Sequence, residues 1–288
     1  MQLLRFINQN AAAVLLQAAA FVFQISALIA ISAANSALAH EYWIEPVNYH
    51  PVVGNKVLAN LRNGEDFEGV SFPRLPDDLV SVTRSSASDH ESIPGRLGDF
   101  PAVNFIPLEL GWNLATVQTQ PKFLRYTETS KFNSFIQSHG FASFVNEHPD
   151  LLDDEIEVEE TYTRFAKTLI HVASDANNSV TQSDSTDWTN NQLRFEWVIK
   201  QFPTLNQPII IQLLQNNKPL PDRQVEVYKK NNGDVSRSVF KTDTQAMLTL
   251  PIVNTSDYLI NAVTISRPDS AKPQITSDWA SLTVSLKP

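Results

Sequence analysis

The 288-residue sequence predicts a mainly β protein with two β-sandwich domains and a small helical insert at about residues 130–147. Three observations predict this class. Short runs of β-forming residues recur along the chain, turn residues separate these runs, and only one segment spaces its apolar residues as a helix does. We expect a signal peptide at residues 1–39, domains at residues 40–172 and 192–288, and a linker or long loop at residues 173–191.

The first 39 residues have the composition of a secretory signal peptide. Arg5 is their only charged residue, and the stretch 11–34 is almost entirely apolar. Ala37 and Ala39 match the small-x-small pattern that precedes a cleavage site, so cleavage is expected before His40 and the mature protein is expected in the periplasm. The alternative is an uncleaved membrane anchor, because the apolar stretch is long enough to cross a bilayer.

The composition of the rest of the chain excludes several functional classes. The absence of cysteine rules out disulfides, thiolate metal sites and a cysteine nucleophile. Removing Arg5 from the 22 basic residues leaves 21 against 31 acidic ones, a net charge of −10 that does not favour nucleic acid. Nucleophile-elbow, phosphate-loop and zinc-protease motifs are absent. We therefore expect a mature protein that is neither an enzyme nor embedded in a membrane.

Strands of the first expected domain alternate with turn residues. A run of alternating β formers begins directly after His40 and ends at Pro46, and Asn63-Gly64 predicts a hairpin turn. The later expected strands are Leu79–Thr83, Trp112–Val117 and Thr161–Val172. One face of the last of these carries Tyr162, Ala166, Ile170 and Val172.

The segment Ser130–Val145 departs from this β pattern. Its apolar residues, four of which are phenylalanines, recur at intervals of three and four, as on one face of a helix. Gly140 is expected to end one short helix before another begins. The phenylalanines are expected to pack this insert onto the sandwich.

Seven further strands are expected after the polar linker. Asn216-Asn217 and Asn231-Asn232-Gly233 mark turns between them. The expected strands are Leu193–Ile199, Ile209–Leu214, Gln224–Tyr228, Val239–Thr242, Ala246–Leu250, Tyr258–Ile265 and Ser281–Leu286. Seven short strands within about a hundred residues are typical of a small antiparallel, immunoglobulin-like sandwich.

His40 is the strongest candidate for a metal-binding residue. As a mature N-terminus it offers an α-amine and an imidazole nitrogen in one chelate ring, which suits Cu²⁺, Ni²⁺ or Co²⁺ when a second nitrogen joins them. The six histidines form no H-x-H or H-E-x-x-H pair, so folding must supply that second ligand, and His171 is the best candidate because it lies on an expected strand. The alternative is a disordered N-terminus.

The acidic run from Asp150 to Glu160 is a weaker candidate for a cation site. It lacks the spacing of a calcium-binding loop. A solvated loop is therefore the preferred interpretation of this run.

Several motifs, in order along the chain, resemble a widespread bacterial family of unknown function. Ala39–Pro46 resembles the family's A-H-E-F-W-I-E-P opening, and 64–69 resembles its G-E-x-F-x-G segment. Further matches are Lys131-Phe132-Asn133 with Gly140, Tyr162–Lys167, Lys218-Pro219-Leu220, Thr242-Asp243, Tyr258-Leu259-Ile260 and Trp279–Thr283. Together they cover nearly the whole expected mature chain. Two positions depart from the family pattern: Thr264 stands where many relatives carry a histidine, and Asn217 stands where they often carry glycine.

Members of that family are described as the periplasmic component of a cobalt/nickel ABC-type transport system. The resemblance implies an N-terminal β domain followed by a carboxypeptidase-regulatory-like or transthyretin-like sandwich. It also implies a periplasmic accessory protein for nickel, cobalt or copper uptake, with an inner-membrane or TonB-linked metal transporter as its partner. The alternatives are a non-enzymatic sandwich module that binds a protein or glycan, and an oxidative enzyme with a histidine-brace copper.

Overall fold

The computed structural model describes residues 40–107, 109–175, 188–189, 193–269 and 272–287. The expected signal peptide and most of the expected linker lie outside these residues. Two short 3-10 helices, Pro76–Asp78 and Pro149–Leu152, accompany the strands and α-helices of the described chain.

Strands dominate the described residues, as the sequence predicts. Those before the linker are β1 (Glu41–Pro46), β2 (Val57–Glu65), β3 (Glu68–Phe72), β4 (Leu79–Ser85), β5 (His90–Ser92), β6 (Val103–Phe105), β7 (Gly111–Thr119), β8 (Lys122–Tyr126) and β9 (Val158–Val172). Between β8 and β9 lie α1 (Thr129–Ser138) and α2 (Ala142–Glu147). Those after the linker are β10 (Phe195–Gln201), β11 (Ile209–Gln215), β12 (Lys218–Pro219), β13 (Gln224–Asn231), β14 (Asp234–Lys241), β15 (Met247–Leu250), β16 (Asp257–Ser266) and β17 (Gln274–Ser285).

These strands form one large and two small sheets. The large sheet has the order β14-β13-β16-β17-β9-β7-β4-β5, with β8 also paired to β9. One small sheet has the order β1-β2-β3 with β6 on β2, and the other has the order β10-β11-β12 with β15 on β11. Among the strands named above, the pairing between β9 and β17 is parallel and the others are antiparallel.

Both faces of strand β9 pack into the hydrophobic core. Phe165 and Leu169 pack with residues of β10, β11 and β15, whereas Ala166 and Ile170 pack with residues of β1, β2 and β6. Successive side chains of a strand point to opposite faces. The two small sheets therefore cover opposite faces of the large one, which makes three layers.

The described structure confirms the mainly β, sandwich-like class. The helical insert is also confirmed: its two helices are separated by Gly140, whose φ of +72° suits glycine. The turns at Asn216-Asn217 and Asn232-Gly233 have positive φ at both residues, as a two-residue hairpin loop requires. The two expected domains share the large sheet through β9 and β17, and their boundaries remain a prediction.

Candidate functional site

The candidate site begins at the N-terminal end of β1, which lies across one face of the large sheet. One edge of β1 pairs with β2. On the other side, the carbonyl oxygens of Tyr42 and Ile44 accept hydrogen bonds from the hydroxyls of Ser281 and Thr283, at 2.6 and 2.7 Å. Hydroxyls of the large sheet thus satisfy backbone acceptors that would otherwise be unpaired, and they hold the first residues of β1 in place.

His40 directly precedes this anchored strand. Because Glu41 pairs with Gly64, the register places His40 opposite Glu65 at the end of β2. The Nδ1 atom of His40 lies 3.0 Å from Oε1 of Glu65. The histidine side chain is 27% exposed and the glutamate side chain 61%, so the pair is open to solvent on one side.

A tight hairpin between β2 and β3 fixes Glu65. Its two loop residues, Asp66 and Phe67, both have positive φ, at 52° and 60°. Phe67 is fully buried and meets the Trp43 ring edge-on, with a centroid distance of 5.5 Å. Burial of the ring therefore holds a phenylalanine in a backbone region that side chains rarely adopt.

The hairpin turn predicted at Asn63-Gly64 is wrong. Both residues lie within β2, and Gly64 pairs with Gly69 of β3. A Cβ on Gly64 would stand 2.4 Å from the Gly69 Cα, so glycine is required here by the close approach of two strands and not by a turn.

Arg164 of β9 lies beneath this end of β1. Its Nη2 donates to the His40 carbonyl oxygen at 3.0 Å and reaches the Asn63 side-chain oxygen at 3.5 Å. The faces of two tyrosine rings, Tyr42 and Tyr162, lie 5.5 and 4.6 Å from the centre of the guanidinium. Burial lowers the pKa of Arg164, whose exposed fraction is 8%.

A groove opens beside Arg164 with a volume of about 120 Å³. Its charged members besides Arg164 are Asp78 and Lys122, which form an ion pair with each other. The remaining lining is largely apolar and consists of Tyr42, Leu61, Asn63, Phe72, Pro73, Leu75, Leu79 and Thr119.

The second predicted ligand, His171, lies at the opposite end of β9. It is seven residues beyond Arg164, which at roughly 3.3 Å per residue places it about 23 Å along the strand. Its ring neighbours are His50 and Trp112, at centroid distances of 6.0 and 5.1 Å. The structure therefore does not bring His40 and His171 together, and pairing them as ligands of one ion is wrong for this arrangement.

Thr264 also lies away from His40. It is buried on β16, and the register places it beside Asp278 of β17 and Thr163 of β9. Thr163 and Arg164 point to opposite faces of β9. A histidine at position 264 would therefore face away from the His40 site, so the departure at Thr264 removes no ligand from it.

A buried acidic cluster lies under α1, on the face of the large sheet that β1 covers. Glu226 accepts a hydrogen bond from Nδ1 of His139 at 3.4 Å, and Glu41 accepts one from the Tyr228 hydroxyl at 2.5 Å. Burial raises the pKa of Glu41. In Glu226 burial acts in the same direction, but the hydrogen bonds from His139 and Gln224 and the nearby charges of His139 and Arg237 together outweigh it and lower the pKa. His139 is itself buried.

Glu160 completes the cluster and is the one buried carboxylate of the acidic run. It accepts hydrogen bonds from Tyr126 and Ser277, and burial raises its pKa. The side chains of Asp150, Asp153, Asp154, Glu155 and Glu157 are exposed, as the solvated-loop interpretation expects. The carboxylates of the acidic cluster accept hydrogen bonds from other side chains of the protein. We therefore assign the cluster a structural role, in which it joins the helical insert to the large sheet.

Arg164 is the functional candidate that the sequence reasoning missed, although a signal for it exists. In a strand with a period of two, Arg164 falls on the same face as Tyr162 and Ala166. A charged residue in the middle of an otherwise apolar face marks either a paired core charge or a binding group.

The described residues hold neither a cluster of metal-binding side chains nor a membrane-spanning helix. They contain no group of three or more histidine, aspartate and glutamate side chains arranged to bind a metal ion. None of the helices in the described part of the chain has both the length and the apolar character that a bilayer crossing requires.

Comparisons with known proteins give a family match and, among solved structures, a weak likeness. No curated protein matches the sequence. The chain is similar, at 11% identity and a TM-score of 0.20, to the crystal structure of a tetra-tandem repeat in the extending region of a large adhesion protein. The match covers 86% of this chain and 50% of that one, and a likeness at this TM-score carries no argument about function. A family model described as a domain of unknown function, DUF4198, matches residues 37–266, and the chain therefore belongs to this family.

Proposed function

We propose that this protein is exported to the periplasm and binds a divalent transition metal at its mature N-terminus, through His40 and Glu65. The observation that carries the proposal is the 3.0 Å distance between His40 Nδ1 and Glu65 Oε1. After cleavage before His40, the α-amine, the imidazole and the carboxylate offer two nitrogens and one oxygen. Such a donor set suits Cu²⁺, Ni²⁺ or Co²⁺, all of which accept imidazole.

The anchoring of β1 supports this proposal because a chelating N-terminus must be ordered. The strand begins at Glu41, and Arg164 binds the His40 carbonyl oxygen. Neither contact uses the imidazole or the α-amine. Ligand groups on a supported scaffold lose less conformational entropy when they bind a metal than those on a free chain end.

In this proposal the metal is cargo and the role is non-enzymatic. The protein would hand nickel, cobalt or copper to an inner-membrane or TonB-linked transporter. The partner rests on the family resemblance, and the partly exposed His40–Glu65 pair suits transfer because a second protein can reach it.

Calorimetry on two forms of the mature protein tests the proposal. One form begins at His40 with a free α-amine, and the other is acetylated at that amine. Acetylation removes the amine as a ligand and changes no core contact, so most of the affinity for Cu²⁺ should be lost. Affinity should also fall at acidic pH, because a protonated ring cannot bind metal.

A matched pair of hairpin variants tests the carboxylate. Glu65→Gln should weaken Cu²⁺ binding, whereas Glu68→Gln should not, because Glu68 is an exposed glutamate of the same hairpin and forms no pair with His40. Equal affinities of the two N-terminal forms would remove His40 from the site. They would favour the alternative, a sandwich module that binds a protein or glycan.

A further inference from the structure

The groove beside Arg164 contains a buried positive charge without a direct ion-pair partner among the described residues. Glu41 and Glu160 attract it only from beyond ion-pair distance. No carboxylate in the described part of the chain lies within ion-pair distance of this guanidinium. Its Nε is buried and lacks a hydrogen-bond partner there. A buried charge is costly unless it is paired and hydrogen-bonded, so this group is set up to accept an anion.

The surroundings of the guanidinium determine where an anion can approach. Tyr42 and Tyr162 form cation–π contacts with the guanidinium, and its Nη2 donates to the His40 carbonyl oxygen. Carboxylates bind guanidinium groups in the plane of their N–H donors, so an anion in the groove would pair with the edge of the group.

The lining and the volume of the groove limit the size and polarity of the rest of the ligand. Leucine, phenylalanine, proline and tyrosine residues make up six of the eleven lining residues, and Lys122 already neutralises Asp78. The volume of about 120 Å³ is below the roughly 300–1,000 Å³ of pockets for drug-sized ligands. The space therefore suits a small molecule, or one end of a larger molecule, with a single negative charge and an apolar body.

From this geometry we infer that the groove is a binding site for a small monocarboxylate whose carboxylate pairs with Arg164 and whose apolar body lies against Phe72 and Leu75. This site is separate from the metal site proposed above and needs no metal. Because Arg164 also binds the His40 carbonyl oxygen, ligand binding is measured without metal present.

Benzoate is a suitable probe, and benzamide is its uncharged control. Titration of the mature protein in excess EDTA, followed by calorimetry and by ligand-observed NMR, should show binding of benzoate. Benzamide should bind on the order of tenfold or more weakly, since it lacks the charge that a buried arginine requires. Equal binding of the two compounds, or no binding of benzoate to the folded protein, overturns the inference.

Two arginine variants locate the site. Arg164→Met should weaken benzoate binding on the order of tenfold. Arg125→Met is the matched control, because Arg125 pairs with Glu157 and Glu159 on the exposed surface and does not line the groove. Benzoate affinity that survives in Arg164→Met places the anion elsewhere and overturns the inference.

A second pair of variants keeps the test decisive if Arg164→Met does not fold. Leu75 is 37% exposed on the groove wall, so a polar residue there does not disturb the core. Leu75→Asp adds a negative charge that should repel benzoate, whereas Leu75→Asn has nearly the same shape without the charge. Equal benzoate affinities in these two variants contradict a carboxylate bound in the groove. Failure at this site leaves the His40 result untouched, because that experiment follows Cu²⁺ and not benzoate.

Discussion

Strand β9 carries two buried cations, Arg164 and Lys167, and they differ in how completely the protein pairs them. The Lys167 ammonium donates to Glu196 at 2.6 Å and to the carbonyl oxygens of Thr189 and Trp197 at 3.1 and 2.9 Å. All three of its donors are therefore used. Arg164 faces the other side of the strand and contacts a carbonyl, an amide and two aromatic rings, but no carboxylate among the described residues.

This difference separates a structural charge from one available for binding. Lys167 is 1% exposed and is enclosed between the large sheet and the β10-β11 sheet, so a ligand cannot reach it. Arg164 has a similar burial but lines an open groove. Burial of a charge alone does not mark a site; incomplete pairing beside an opening does.

The largest effect on stability is expected from breaking the ion pair between Lys167 and Glu196. Lys167→Met leaves the Glu196 carboxylate buried without its cation, which should lower the free energy of unfolding by about 3–5 kcal/mol. The double variant Lys167→Met/Glu196→Leu should recover most of that loss, because both charges are then removed. Urea unfolding of the three proteins measures this, and a single variant as stable as the parent would show that the pair is not what holds the two layers together.

A second effect concerns His50, a half-buried base near the far end of β9. His50 donates from Nε2 to the Ser285 carbonyl oxygen at 3.0 Å, and burial lowers its pKa to about 4. Between about pH 6.5 and pH 4 the unfolded chain binds a proton at this residue and the folded chain does not. The free energy of unfolding should therefore fall as the pH drops through this window, by up to about 3 kcal/mol.

Substitution of His50 should flatten that pH dependence. Urea unfolding of His50→Gln at pH 7 and pH 4.5 measures the change, with His90→Gln as the control because His90 is exposed. If both variants keep the slope of the parent protein, His50 is not the group responsible.

Arg164→Met should have a smaller effect on stability than the break at Lys167. The substitution removes contacts with Tyr42, Tyr162 and the His40 carbonyl, but it also removes an unpaired buried charge, and these contributions oppose each other. The free energy of unfolding should change by only about 1 kcal/mol, against about 3–5 kcal/mol for Lys167→Met. A loss as large as that of Lys167→Met in the same urea assay would mean that Arg164 is structural after all.

Local patterns in the sequence predicted the local structure well. Alternation of apolar residues predicts β11 and β16 nearly to their ends, and the Asn216-Asn217 dipeptide predicts its turn. Phenylalanine spacing predicts the insert. In each case the information lies within about ten neighbouring residues, which is the range over which periodicity and turn chemistry act.

Contacts between distant segments could not be predicted in the same way. The parallel pairing of β9 with β17 joins Thr161 to Thr276, and no local pattern specifies such a partner. His40 meets Glu65 only because the β1–β2 register and the hairpin at Asp66 fix their positions. The sequence named one residue of the candidate site, His40, because its chemistry depends on its place in the chain and not on the fold.

The smallest effect is expected at His171, where the structure separates two residues that sequence reasoning paired. His171 lies about 23 Å along β9 from the end that holds His40, at roughly 3.3 Å per residue, which is far beyond the reach of a shared ion. His171→Ala should therefore leave the Cu²⁺ affinity of the mature protein unchanged, while acetylation of the N-terminal amine removes most of it. Its contacts with Trp112 and His50 are lost, so stability should fall even though binding does not. Calorimetry and urea unfolding on the same sample separate the two effects. A large loss of Cu²⁺ affinity in a fully folded His171→Ala variant would contradict this prediction. The metal site would then have to lie at the His50–His171 end of β9 and not at His40.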